Sequence, residues 1–235
     1  MKTRDLLTYN WQSQANITLF LLALIITVFV LPAVGFGREH GPLYENIAAS
    51  VLLILGSAIA WQNRPLFSVA IVMSIAAIVT RWITWRAPAT ELTLFSQTAE
   101  LMSASMIMVV LLWQVFRSGP VSSTRIQAAI ALYLGLAFGW SHAYHIAALL
   151  DPNAFRIVAS DLAGSVDWTA YSFGMLTTSG YQGVIPIHSV AHALSSSEAV
   201  AGQLYLTILV ARLVSMQATA ARNNLESNRY PGSSP

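Results

Sequence analysis

The residues with the strongest chemical signature are Thr177-Thr178-Ser179-Gly180-Tyr181-Gln182-Gly183, a polar loop between the apolar run Trp168 to Leu176 and a hydrophobic segment starting near Val190. Hydroxyls and backbone carbonyls are hard oxygen donors, the kind that suits a dehydrated cation. To serve one, the chain must stay extended with its carbonyls aimed at a common axis. Neighbouring residues then alternate between ordinary and left-handed backbone angles, and glycine enters the left-handed region without a Cβ penalty. Gly180 satisfies one such place. Thr178 can contribute both its hydroxyl and its carbonyl.

Other chemistry is poorly supported. The chain has no cysteine, so disulfides, thiolate catalysis and cysteine-based metal sites are excluded. Hydrolysis through Ser172 or Ser179 with a histidine would need a recognisable arrangement, and neither a Gly-x-Ser-x-Gly elbow nor an HExxH pair is present. The expectation is a protein that is not an enzyme and holds no organic cofactor. His142 and His145 share a helix face, but a metal would want further ligands and none lies nearby in sequence. Packing or hydrogen bonding is their expected role. Glu198 sits inside a hydrophobic segment, where an ionisable group is a functional candidate by default; the alternative is a structural carboxyl bonded to a neighbouring helix.

The elements that position these groups follow from composition. Of 235 residues, 55% are hydrophobic and only 9% charged, too little polar surface to cover a soluble globule of this size. The net charge of +2, with its basic residues scattered, excludes a nucleic-acid footprint. Apolar runs suited to crossing a bilayer occur at Ile17 to Val34, Asn46 to Trp61, Leu66 to Trp82, Leu92 to Phe116, Ile126 to Leu150 and Val190 to Met216. The first reads as a retained span rather than a signal peptide, because no small-residue cleavage pattern follows it. Trp168 to Leu176 is too short to cross about 30 Å of hydrocarbon and reads as a re-entrant helix.

Six crossings place both termini on one side. Lys2, Arg4, Arg64, Arg117, Arg125, Arg212, Arg222 and Arg229 fall there, while Arg38, Arg86 and Arg156 accompany most acidic residues opposite. The excess of basic residues marks the cytoplasmic side. The 177–183 loop then faces outward. The connection from Asp151 to Asp167 is the longest exposed one, and the tail after Gln217 is short and polar.

The loop resembles the selectivity filter of the potassium channel family, which reads Thr-Thr-Val-Gly-Tyr-Gly-Asp. Thr177, Thr178, Gly180 and Tyr181 match; Ser179, Gln182 and Gly183 depart. Asp167-Trp168 and Tyr171-Ser172-Phe173 resemble the family's pore helix, and Gly202-Gln203-Leu204-Tyr205-Leu206 through Ala211-Arg212-Leu213-Val214 resembles the inner helix of bacterial two-helix pore modules. The resemblance spans residues 126 to 217. It implies an all-α membrane protein in which six transmembrane helices, with a re-entrant pore helix and a filter loop between the fifth and sixth, assemble with three identical subunits. Residues 1–120 would form a four-helix domain, 121–217 the pore domain and 218–235 a cytoplasmic tail, in a plasma membrane. Potassium, with sodium as the alternative, would pass by Thr178, Ser179, Gly180 and Tyr181.

The departures carry their own expectations. Gln182 stands where the family has its second glycine, and left-handed geometry there would cost about 1–2 kcal/mol per chain, so the outer loop should rearrange, with Gly183 taking over the glycine's role. Ser179 needs a hydrogen-bond partner. Gly183 replaces an aspartate and Gly174 falls where some members carry a glutamate, so both carboxylates behind the filter would be missing and its bracing looser or different. Gly202 falls at the family's gating hinge, with close packing by a small residue as the alternative. Gln203, Leu206, Val210 and Val214 share one helical stripe, expected to line a cavity with an apolar constriction at its end. His188 would border the pore mouth and, with Glu198, is a candidate for modulation.

Voltage sensing is not expected. The fourth run lacks basic residues and carries Glu100, with Arg117 just beyond it. Arg81 and Glu100 are placed to pair between antiparallel neighbours. The rival readings are a weakly selective cation channel and a non-conducting accessory subunit.

Overall fold

The computed structural model describes residues 3–34, 41–62, 64–117, 122–158 and 166–229. The expected charge positions Lys2, Arg38, Glu39 and Asp161, part of the 151–167 connection and the last six residues lie outside that set.

The chain runs α1 (Thr3–Ile25), a π-helical turn (Ile26–Val30), α2 (Leu31–Val34), α3 (Gly41–Ile59), a short 3₁₀ turn (Ala60–Gln62), α4 (Arg64–Arg86) and α5 (Thr90–Phe116). It continues with α6 (Ser123–Leu150), β1 (Phe155–Ile157), α7 (Trp168–Leu176), β2 (Val184–Pro186) and α8 (Ser189–Arg229). Among the described residues, four helices are long and apolar enough to cross a membrane: Arg64–Arg86, Thr90–Phe116, Ser123–Leu150 and the Ser189–Arg212 part of α8. Gln14–Val30 and Leu43–Ile59 are apolar but shorter.

Small residues decide how closely the helices approach. Pro88 ends α4 through its steric restriction on the preceding residue, and the chain turns back into α5. There Ser74 and Ser103 share a buried hydrogen bond of 3.0 Å, beside the buried Ala77 and Ala104. Such residues admit the close backbone approach that substitutes for a hydrophobic driving force between helices in lipid. α6 is the central helix: Ala128, Ala129, Ala131 and Ala137 are all buried. Ile17, Phe20 and Leu24 of α1 and Leu111 and Val115 of α5 share one core cluster with it.

Large apolar side chains such as Leu22, Val72, Val79, Val109 and Trp113 point outward, while Glu100 and Glu198 are buried. That inversion suits a hydrocarbon solvent. α8 is one helix of 41 residues, about 60 Å long at 1.5 Å per residue, so the chain beyond Gln217 stays helical to Arg229 instead of forming a separate short tail.

Candidate functional site

α7 occupies the expected re-entrant segment. Asp167 caps it by accepting from the Ala170 amide at 2.9 Å, satisfying one of the free donors of the first turn. Its far end delivers the chain into the 177–183 loop, where Thr177 N donates to Phe173 O and Thr178 N to Met175 O, both at 3.0 Å. The negative end of the helix dipole therefore lies at the start of the loop, a setting that favours cations.

Among the described residues, only Thr178 (φ 57°) and Gly180 (φ 79°) have positive φ. They are two apart, so the backbone alternates over Thr178-Ser179-Gly180 as carbonyl coordination on one axis requires. The alternation stops there. Gln182 is not left-handed, as expected of an outer loop that rearranges away from that strain; neither is Gly183, which corrects one expectation, since Gly183 does not assume the missing glycine's geometry. The β1–β2 ladder begins at Val184 and gives the outer part of the loop another course.

The ladder also replaces the missing aspartate. Phe155 pairs with Pro186, Arg156 with Ile185 and Ile157 with Val184 in antiparallel register. Val158 N donates to Gly183 O at 3.0 Å and Ile187 N to Ala154 O at 2.8 Å. Backbone bonds thus hold the end of the loop that a carboxylate was expected to anchor. Ser179 finds its partner within the loop, at 2.9 Å from Thr177 Oγ1.

Behind the loop, Gly174 is required. A Cβ there would meet Gly180 O at 2.8 Å and Tyr181 Cβ at 3.2 Å, and Gly180 N donates to Gly174 O at 3.0 Å. The loop lies directly on α7, leaving no room for a glutamate. A carboxylate arrives from elsewhere. Glu198 of α8 is fully buried; it accepts from Tyr144 of α6 at 2.5 Å and makes a very short bond with Ser172 of α7. Glu198 is thus the structural carboxyl bonded to neighbouring helices that was one of its two expected roles.

Ser172 has one hydroxyl proton and two oxygen neighbours, Glu198 Oε1 and, at 2.7 Å, Ala137 O. A protonated Glu198 completes this set, because its own hydroxyl then donates to Ser172. No Lys, Arg or His forms a salt bridge with Glu198 among the described residues, so a neutral acid also avoids an unpaired buried charge. Beside it, Ser195 donates to Ala191 O at 2.9 Å and lies 2.8 Å from the Tyr171 hydroxyl. Tyr171 is therefore the donor of that pair.

An aromatic cuff completes the support. Tyr171 meets Tyr144 edge to face at 4.8 Å, Phe155 at 5.8 Å, Trp168 at 6.0 Å and Tyr181 at 6.0 Å. Such pairs fix ring orientation beyond simple area burial. Sequence reasoning picked out Tyr181 and Glu198 but not Tyr144 or Ser195; the serine's spacing of three from Glu198 on one helix was the available signal.

Gln203, Leu206, Val210 and Val214 are all exposed, and Gln203 Nε2 donates to Thr178 Oγ1 at 3.3 Å, which puts the head of the stripe beside the inner end of the loop. Gly202 is a packing residue here: a Cβ would sit 2.3 Å from Leu176 O.

Other candidates fall into place. Arg81 Nη1 bonds Glu100 Oε2 at 2.6 Å while its Nε donates to Asn46 Oδ1 at 2.7 Å, so the expected ion pair exists and ties α3 to α4 and α5. His142 Nδ1 lies 2.7 Å from Gln97 Oε1, joining α6 to α5. His145 stacks on Trp168 at 6.3 Å. His188 pairs with Asp151, beside the ladder, and His192 is exposed. No group of three or more His, Cys, Asp or Glu suited to a metal ion occurs among the described residues. A cavity of about 950 Å³ separates the leading helices from the rear of the loop, with Gln97, His142, Phe173, Gly174, Ser179 and Gly180 on its walls.

No family model, curated protein or solved structure matches the chain. Function must be argued from the site.

Proposed function

We propose that the chain is one subunit of a homotetrameric channel that passes monovalent cations, chiefly potassium, down their electrochemical gradient without covalent chemistry. The observation that carries this reading is the left-handed pair Thr178 and Gly180, two residues apart in a loop resting on the end of a nine-residue helix. Four copies around an axis would present rings of carbonyls at Thr178, Ser179, Gly180 and Tyr181, where a cation sheds its water. The exposed stripe from Gln203 to Val214 would face the same axis. A single chain leaves this loop and stripe open to solvent, as a quarter of a pore must.

In this reading six helices cross a plasma membrane, α1 and α3 serving as the first two and α7 entering and leaving from outside. The basic residues at the termini and in two loops place both ends in the cytoplasm. The partners are three identical subunits and the bilayer, with no nucleic acid or soluble protein required.

A second reading, weak selectivity, draws on the conformation of Gln182. Because the alternation ends at Gly180, the outer part of the filter would offer fewer ordered carbonyl rings than the inner part, and selectivity depends on several sites in series. Flux of potassium and of sodium into liposomes holding purified tetramer separates the readings. Faster potassium supports the first, equal permeation the second, and no flux of either ion sinks both in favour of an accessory subunit.

A further inference from the structure

The end of α8 carrying Val210 and Val214 is fastened on its opposite side. Arg212 lies two residues from each, about 200° around the helix at 3.6 residues per turn, and therefore points away from the exposed stripe. Its Nη2 donates to Phe116 O at 2.6 Å and to Arg117 O at 3.1 Å. Its guanidinium also covers the Phe116 ring at 4.8 Å. Phe116 is the last residue of α5, so Arg212 caps carbonyls that the helix itself leaves free, at the negative end of its dipole. About two turns earlier, on the same face, Tyr205 donates to Ala129 O of α6 at 2.7 Å.

We propose that Arg212 is a positioning residue for the channel gate: it tethers the lower part of α8 to the C-terminus of α5 and so keeps Val210 and Val214 apart from their copies across the fourfold axis. This rests on the channel reading above. Leu206, Val210 and Val214 are apolar and exposed, and four such surfaces released toward one axis bury each other and expel water from the passage. The tether opposes that collapse with charge-assisted bonds in a partly buried setting. It also gives the four leading helices, which lack a ladder of gating charges, a mechanical hold on the pore.

The test measures potassium flux per assembled tetramer in liposomes for wild type, Arg212→Ala, Arg212→Lys and Arg212→Ala combined with Val210→Ser and Val214→Ser. Loss of a charge-assisted hydrogen bond shifts a two-state equilibrium by about tenfold or more, so R212A should pass about a tenth of the wild-type flux or less. R212K, whose ammonium can still reach one carbonyl, should fall less in the same direction. The serine pair, which lets water into the constriction, should restore flux to R212A. A folding defect would not respond in this way. Because the chain has no native cysteine, Val214→Cys provides a second readout: its disulfide between subunits should form faster in R212A than beside the native arginine. R212A with unchanged flux, or with loss that the serines fail to restore, overturns the tether while leaving the channel intact. A silent wild type overturns the channel reading itself and the inference with it.

Discussion

Tyr144 donates its phenolic proton to Glu198 across 2.5 Å, joining the central helix to the last helix at a point where neither side chain reaches solvent. Through the same carboxyl, Ser172 attaches α7. The hydrogen-bond count around Ser172 calls for a neutral acid. Glu198→Gln should therefore hold the three helices together nearly as well as the native residue. Glu198→Ala strands the buried Tyr144 hydroxyl, leaves Ser172 only its bond to Ala137 O and opens a cavity, and should cost about 3 kcal/mol, read as a lower midpoint of thermal unfolding in detergent. Equal destabilisation by the two variants would mean that the carboxyl is held as an anion.

Gly174→Ala tests the contact between α7 and the loop. The added methyl meets the carbonyl of Gly180 at 2.8 Å, and backbone cannot swing aside as a flexible side chain does. Displacement of the loop should reduce ion flux far more than it reduces stability, for which overpacking predicts about 1–3 kcal/mol. Flux equal to wild type from the alanine variant would show that this backbone contact does not set the site.

Gln182→Gly tests where the filter ends. Glycine opens the left-handed region to position 182, so the alternation set by Thr178 and Gly180 could extend one step further. The expected result is a higher potassium-to-sodium permeability ratio in liposome flux, with a small loss of loop stability of about 1 kcal/mol. An unchanged ratio would assign selectivity to the inner sites alone. Current gained from a silent parent would instead mark the native loop as non-conducting.

The Arg81–Glu100 pair has side chains 19% and 1% exposed. Removing Glu100 alone leaves a cation facing apolar helices and should cost about 3–5 kcal/mol, whereas replacing both residues with leucine should cost much less. A double-mutant cycle on unfolding free energy measures the difference. Additive losses would show the pair to be uncoupled.

Much of this architecture was legible in the chain. Apolar run lengths located the long helices, and the run Trp168 to Leu176, too short to cross, was marked as a separate short helix. The loop could be recognised from residue types, and the stripe from Gln203 to Val214 from helical spacing. These are local properties, carried by composition and by the periodicity of a single element.

Apart from the Arg81–Glu100 pair, contacts between elements were not legible. Glu198 meets Tyr144 and Ser172 across 54 and 26 residues of chain, and Arg212 reaches Phe116 across 96. Whether such groups touch depends on how each helix is rotated and how far it slides along its neighbour, and one residue turns a side chain about 100° around the axis. Gln182 shows the same limit. Its place in the loop called for a rearrangement but not for its form: pairing of Val184 with Ile157 takes the chain out of the loop's path and leaves the glutamine in an ordinary conformation. Residue types set which groups could coordinate a cation; the packing of α6, α7 and α8 set which backbone they ride on and what holds it in place.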